Sequence, residues 1–286
     1  MSRINIINKL KMSKEILYKY KGKNYSVSDI IRALNDVGIE QGDTIFVHSD
    51  VSIFGKIQIL ERRNFLEKII KAFKQVIGSD GTLILPTFSY SFCENEVYDM
   101  NNSRSKVGAL TEYFRKLPDV KRTINPIFSV GVYGKQKEKY MGSSKDCFDD
   151  DSIFGELLKN KAKVVFFGAP FQSCTFMIHI EQKFKVPYRF IKKFKGIIKT
   201  EEKEYRDEYT YYVRYLDRDI TKDFSKFESC LVNNGTMKKV KLGNGSIMAV
   251  KADSLFKEGV RNLKKDVNFF LLEEPKCNNK EKKTEL

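Results

Sequence analysis

The apolar positions of the chain follow two alternating rhythms. Val27, Ile30, Ile31, Leu34 and Val37 recur at helical spacing behind a Ser26 N-cap with Asp29 three residues on, and Gly38 is placed to end that helix. Residues 44–47 then read as a short buried strand. Phe65, Leu66, Ile69, Ile70, Phe73 and Val76 mark a second helix stopped near Gly78, and residues 82–85 form another buried strand. The alternation continues with a helix over 107–117, a strand over 127–133, a short helix over 153–158, a central strand over 163–167 and a helix over 175–184 that ends before Pro187. Such a succession predicts an α/β layered sheet. After Gly196 the pattern changes: 201–215 is charged and Tyr-rich with partial alternation, 224–231 reads as a short helix, and 242–250 as a turn and a strand. This part is expected to be β-rich and antiparallel.

Composition bounds the picture. At 286 residues the chain suits one large domain or a core with an appended lobe, here 26–195 as the α/β core and 196–272 as the β-rich part of a single domain 1–272, followed by a polar tail over 273–286. Apolar residues make up 41%, with 22 Phe and 14 Tyr, enough for a substantial core without metal or disulfide. No apolar run is long enough to span a bilayer, and charges interrupt the apolar residues at the N-terminus, so neither membrane insertion nor secretion is expected. The five cysteines are scattered and form no CxxC pair, which predicts reduced thiols in a cytoplasmic protein and no metal site. The formal charge is +15, densest between Lys183 and Lys195, where six cations meet no acid. That field favours anionic partners. It is either a solvated basic surface or an attractor for phosphorylated small molecules, and no nucleic-acid recognition module accompanies it.

Candidate chemistry collects where buried strands end, because loops there expose backbone N–H groups to ligands. The first is His48-Ser-Asp-Val-Ser-Ile-Phe-Gly55, whose Ser49, Ser52 and Gly55 suit phosphate or pantetheine. The second is Pro86-Thr-Phe-Ser-Tyr90. Arg122 to Ser129 places a guanidinium ahead of a third strand, and Asp149-Asp-Asp-Ser152 gathers three acids that either cap the next helix or hold an ammonium. Gly168-Ala-Pro170 ends a fourth strand, and eleven residues past Gly168 comes His179, one of only two histidines.

These segments, in this order, resemble the aminoglycoside 3-N-acetyltransferase family from about residue 26 to about residue 270. The resemblance implies a three-layer α/β/α sandwich around a largely parallel or mixed sheet, distinct from the common GNAT acetyltransferases. It also implies acetyl-CoA as donor and direct transfer to an amino sugar, by a monomer or homodimer. CoA contacts are then expected from Ser49, Asp50, Val51, Ser52, Phe54 and Gly55, and from Thr87, Phe88 and Ser129. The acceptor is expected to meet Tyr90, Arg122, Asp149, Asp150 and Thr175. The helix after Gly168-Ala-Pro170 would supply His179 as general base, with Glu181 nearby. An imidazole titrating near the operating pH is the usual way to take the proton of a sugar ammonium.

Two departures from the family pattern stand out. The family's Thr-x-x-His-x-x-Glu spacing is kept by Thr175 and Glu181, but position 178 is Ile and the imidazole sits at 179, one residue or about 100° round an ideal helix. Asn125 stands where many relatives have His before Pro. Because classical aminoglycosides are polycations, the positive field favours a nucleotide-linked deoxyamino sugar, of the kind used in surface-polysaccharide synthesis, over an aminoglycoside acceptor. The alternatives from other classes are a ping-pong acyltransferase with Cys174 as nucleophile, an RNA-binding module using Lys183–Lys195, and a CoA-binding member that has lost its base.

Overall fold

The computed structural model describes residues 15–142, 144–218 and 220–273, so Cys277 and the tail from 274 lie outside the described residues, as does the N-terminal segment up to residue 14. The chain opens with β1 (Ile16–Tyr20) and β2 (Lys23–Ser26), and then α1 (Val27–Asp36) begins. Ser26 and Asp29 form the expected capping box: the Asp29 N–H donates to Ser26 Oγ and the Ser26 N–H to Asp29 Oδ2. Next come β3 (Thr44–Ser49), β4 (Lys56–Ile57), α2 (Arg62–Ile77), β5 (Thr82–Pro86), β6 (Tyr98–Asp99) and α3 (Ala109–Phe114). The middle of the chain supplies β7 (Lys121–Arg122), β8 (Val130–Gly134), α4 (Ile153–Lys159), β9 (Lys163–Phe167) and α5 (Phe176–Phe184). It closes with β10 (Arg189–Lys199), β11 (Glu204–Arg214), α6 (Ser225–Asn233), β12 (Met237–Leu242), β13 (Gly245–Lys251) and α7 (Ala252–Lys265).

Seven strands form one mixed sheet in the order β12-β13-β9-β3-β5-β8-β7. Only its centre is parallel: β3 runs with β5 and with β9, while β8 and β13 pair antiparallel outside them. Strand parity sorts the side chains into two cores. Ile45, Val47, Leu83, Leu85, Val165 and Phe167 pack on one face against Leu34 of α1 and Ile69 and Phe73 of α2. Phe46, Ile84, Val164 and Phe166 pack on the other against α4, α5 and α7, through Phe154, Phe176, Ile180 and Leu255. Three layers result, and the runs of consecutive apolar residues in β3, β5 and β9 follow from burial on both sides. Each fully buried Phe or Ile among them is worth about 1.5–3 kcal/mol relative to exposure.

Several elements differ from expectation for local reasons. The helix expected over 107–117 is cut to Ala109–Phe114, because Gly108 takes a φ of +124° that no helix start can share. The strand expected from 127 begins at Val130, because Asn125 Oδ1 accepts the N–H groups of Ile127 and Phe128 and holds them in a turn. The basic run contributes to β10, paired along its whole length with β11, from Arg189 opposite Arg214 to Lys199 opposite Glu204. Residues 196–272 also carry β12 and β13, which extend the main sheet, and α7, whose Gly259 lets Ile180 of α5 approach to the point where a Cβ would meet it at 3.0 Å.

Gly168 closes β9 at the edge where the candidate chemistry lies. Its φ is +75°, and a Cβ there would stand 2.3 Å from the Asp50 carbonyl oxygen. Gly168→Ala is therefore expected to cost at least about 1–3 kcal/mol from the left-handed backbone alone. Urea unfolding followed by circular dichroism measures this, and a wild-type midpoint would remove the constraint.

Candidate active site

The parallel pairing of β3 and β9 sets His48 beside Phe166 and Ser49 beside Phe167, so both strands end at one edge. Beyond it, the Asp50 N–H donates to the Phe167 carbonyl at 2.9 Å. Asp50 Oδ1 accepts from both the N–H (3.0 Å) and the hydroxyl (2.6 Å) of Ser52, closing an Asx turn. The Val51 carbonyl accepts from Tyr18 at 3.0 Å. Ser49, Asp50, Val51 and Ser52 thus form an accessible loop tip. Ser49 Oγ is buried and has no partner. Phe54, expected to contact the cofactor, lies beneath this loop. It is fully buried, with its ring 4.7 Å from Phe167 and 5.4 Å from Tyr18, and it anchors the loop from beneath. Gly55 serves the same anchor: a Cβ on it would strike the Lys19 carbonyl at 2.7 Å.

The second strand-end loop is sealed. Thr87 and Ser129 have no exposure, the Ser129 hydroxyl donates to the Thr87 carbonyl at 2.8 Å, and Phe88 packs 5.1 Å from Phe128. The Arg122 guanidinium is buried as well. It donates to the carbonyls of Thr87 (2.7 Å), Met100 (3.1 Å) and Ser103 (2.6 Å), and its Nε to Ser129 Oγ. Thr87, Phe88 and Ser129, expected to meet the cofactor, and Arg122, expected to meet the acceptor, are all buried here. Their polar atoms are spent on tying residues 87–103 to the sheet. Tyr90 is half-buried at a φ of +57°, a backbone state that a bulky residue holds only when its surroundings enforce it, and its ring lies 5.6 Å from Phe128.

Helix α5 decides the histidine question. Thr175 stands at its N-cap, and its N–H points at His48 Nε2, 3.4 Å away. The outward stripe is Thr175, Ile178 and Gln182; Ile178 retains 6% exposure, and His179, one step round, retains none. His179 Nδ1 lies 2.7 Å from the Phe148 carbonyl, so that nitrogen carries the proton, and the ring packs between Phe176 and Phe256. Its Nε2 is buried without a partner. Glu181 is sealed too. Its Oε2 is 2.8 Å from Arg189 Nε, and its Oε1 accepts from the Tyr188 hydroxyl at 3.1 Å. Of the two expected catalytic groups, His179 is thus turned into the interior, and Glu181 is the anion of a buried pair that fastens α5 to β10. Tyr188 and Arg189 carry no motif that would have drawn attention to them. Cys174 is buried, which pushes its thiol up to about 12 and leaves no thiolate for a ping-pong step.

The acidic segment splits by role. Ser152, not an aspartate, caps α4 by accepting from the Gly155 N–H at 3.3 Å. Asp149 and Asp150 line a cleft of 390 Å³ with Gln182, Lys183, Ile191 and Tyr212, between α5 and the β10–β11 hairpin. The Lys183 ammonium, 2.7 Å from Asp150, holds that carboxyl below its ordinary range. Among the described residues no group of three or more His, Cys, Asp or Glu could hold a metal, and no helix is long and apolar enough to cross a membrane.

Both histidines are driven toward the neutral form by burial. His48 is pushed down to about 3, and His179 is lowered against the opposing pull of the Phe148 carbonyl. Below the unfolded value of 6.5 the unfolded chain takes up a proton that folded His48 refuses. The stability from neutral His48 is therefore complete above pH 6.5 and is lost as pH falls toward 3. His48→Gln is expected to remove up to about 1.4 kcal/mol per pH unit from the slope of unfolding free energy in that window. Denaturant titrations at stepped pH measure it, and an unchanged slope would count against the burial of this imidazole.

Comparison with known proteins follows the same geometry. The family model described as aminoglycoside 3-N-acetyltransferase matches residues 46–264. The SPbeta prophage-derived aminoglycoside N(3')-acetyltransferase-like protein YokD of Bacillus subtilis is 26% identical over 190 residues, covering 58% of this chain and 66% of that protein. Aminoglycoside N(3)-acetyltransferase IV of Salmonella sp is 30% identical over 114 residues, covering 39% and 41%. The chain therefore spans a little under two thirds of the first relative and about two fifths of the second. In structure, AAC(3)-Xa superposes with a TM-score of 0.73 at 18% identity, over 92% of this chain and 98% of that one. AAC-IIIb bound to CoASH gives 0.71 at 21%, over 84% and 97%. These structural likenesses establish the fold. The family match runs from the start of the central sheet almost to the end of α7, and on it the chain belongs to the aminoglycoside 3-N-acetyltransferase family.

Proposed function

We propose that this protein transfers the acetyl group of acetyl-CoA to an amine of an amino sugar of the aminoglycoside class. The observation that carries the reading is the family match over 46–264, which takes in the three parallel strands and the loops at their ends. Solved relatives argue in the same direction: AAC-IIIb is bound to CoASH, a variant of AAC(3)-IVa to a gentamicin and to apramycin, and AAC-VIa to sisomicin. These acceptors favour an aminoglycoside over the nucleotide-linked sugar suggested by net charge. Within a chain of charge +15, Asp149 stands in a cleft where Asp150 is already paired with Lys183 at 2.7 Å, and its carboxylate is the group there that an acceptor ammonium would meet.

In this reading the thioester lies over the Ser49–Ser52 loop tip, where Ser52 is exposed. The acceptor nitrogen attacks the thioester carbonyl carbon, the C–N bond forms as the C–S bond breaks, and CoA leaves as thiolate. The proton released by the amine passes to water, because both imidazoles are buried and hold their neutral form. Catalysis then rests on holding the amine and thioester together, a source of large rate gains in its own right.

Steady-state kinetics on gentamicin, apramycin and sisomicin against dTDP- and UDP-linked amino sugars are expected to give the higher kcat/KM on an aminoglycoside. A preference for the nucleotide sugar overturns that choice of acceptor. The pH profile tests the proton's route. The value of kcat/KM is expected to rise along the titration of the acceptor's own amine, with no second break on the acid side, and His179→Asn is expected to keep that shape. An acid-side break that vanishes in His179→Asn would make the imidazole the base.

A further inference from the structure

The basic run leads into β10, and where it enters the strand apolar side chains come to the surface. Phe190 is 36% exposed and Leu216 is 93% exposed. Both lie at one end of the β10–β11 hairpin. Phe190 stands opposite Val213 in the antiparallel register. Past the end of β11 the Tyr215 N–H donates to the Tyr188 carbonyl at 3.4 Å, which keeps the departing chain beside the start of β10. The Phe190 and Tyr215 rings are 4.7 Å apart, and Leu216 follows with nearly its whole side chain in solvent. Ile191, the next residue of β10, is turned to the opposite face, toward the cleft that holds Asp149, and takes no part here.

Lys192, Arg214 and Arg218 flank this apolar pair, and none has a carboxylate partner among the described residues. The Lys192 ammonium lies 5.2 Å from the Phe194 ring, Arg214 donates to the Ile220 carbonyl at 2.6 Å, and the Arg218 guanidinium lies 4.1 Å from the Tyr215 ring. Residues 185–200 contain no acid, and residues 209–219 contain only Asp217 and Asp219, the latter outside the described residues. Exposed apolar side chains beside unbalanced cations complement a partner that is anionic at its surface and apolar beneath. A second copy of this chain does not fit, because it would set the same cations against each other. Single-stranded nucleic acid needs open aromatic faces for its bases. Here the Tyr215 ring is engaged by Phe190 and Arg218, and the most exposed group is the aliphatic Leu216. We infer that this end of the hairpin rests on the surface of an anionic lipid bilayer, with Phe190 and Leu216 among the headgroups and Lys192, Arg214 and Arg218 on lipid phosphates. Apolar burial and attraction to an anionic leaflet add, and no segment crosses the membrane. The contact is independent of the transferase reading above.

Co-sedimentation of the full-length protein with vesicles tests it. Wild type is expected to bind phosphatidylcholine vesicles that contain phosphatidylglycerol, to bind pure phosphatidylcholine far less, and to be released by added salt. The charge variant K192Q/R218Q is expected to lower the partition by about tenfold or more. Leu216→Ser, at a position almost wholly in solvent, and the double variant F190S/L216S are expected to lower it as well, with circular dichroism unchanged for Leu216→Ser and acetyl transfer to a soluble acceptor retained. No binding to the anionic vesicles overturns the inference. Binding that survives both apolar variants overturns it too, since the net charge of +15 would then suffice without this patch. Retention on single-stranded poly(U) that is lost in the same variants, with vesicles ignored, would replace the bilayer by a nucleic acid.

Discussion

The parallel alignment of β3 with β5 and β9 is the constraint on which the rest depends. It brings three strand ends to one edge of the sheet and exposes the loop after β3 there. The alignment requires apolar side chains on both faces of each strand, and α1 and α2 on one side and α4, α5 and α7 on the other supply the cover. Gly168 then lets the end of β9 pass within contact of the Asp50 carbonyl, so backbone geometry and the Asp50 side-chain turn together set the loop at Ser49–Ser52.

The same packing sorts candidate residues into those that can meet a ligand and those that hold the frame. Arg122 carries the functional group expected of an anion-binding residue, yet its donors are consumed by three carbonyls and a hydroxyl. Glu181 and Arg189 form a pair with almost no exposure, and such a pair is costly to break because either ion left alone would be buried without compensation. Among the places open to solvent are a short loop tip, a cleft beside α5 where Asp149 and Asp150 stand with Lys183 and Lys185, and a hollow beside α3 ringed by Arg62, Arg63 and Arg104.

Helix α5 illustrates how one residue of phase changes chemistry. A side chain at 178 points along the stripe shared with Thr175 and Gln182, and the chain has isoleucine there. His179, about 100° further round, meets the Phe148 carbonyl and two phenylalanine rings instead. Burial lowers its basicity as it removes it from solvent, and both effects act against general-base catalysis.

Much of this was legible in the residues themselves. Hydrophobic spacing located α1, α2 and the three parallel strands within a few residues, the capping box at Ser26 stood in plain view, and the order of motifs around Ser49, Pro86, Arg122, Asp149 and Gly168 carried the family. Those features are local, or repeat at a fixed period, so a linear text records them. Three things were not recorded there. The basic run at Lys183–Lys195 runs into a protruding strand, exposed on both faces and without alternation. The isolated glycine within 252–265 obscures a helix whose glycine is explained by Ile180 of another helix. Above all, which polar groups are spent and which are free was decided by partners as much as 127 residues away, because hydrogen bonds and burial depend on distance in space while sequence records only distance along the chain.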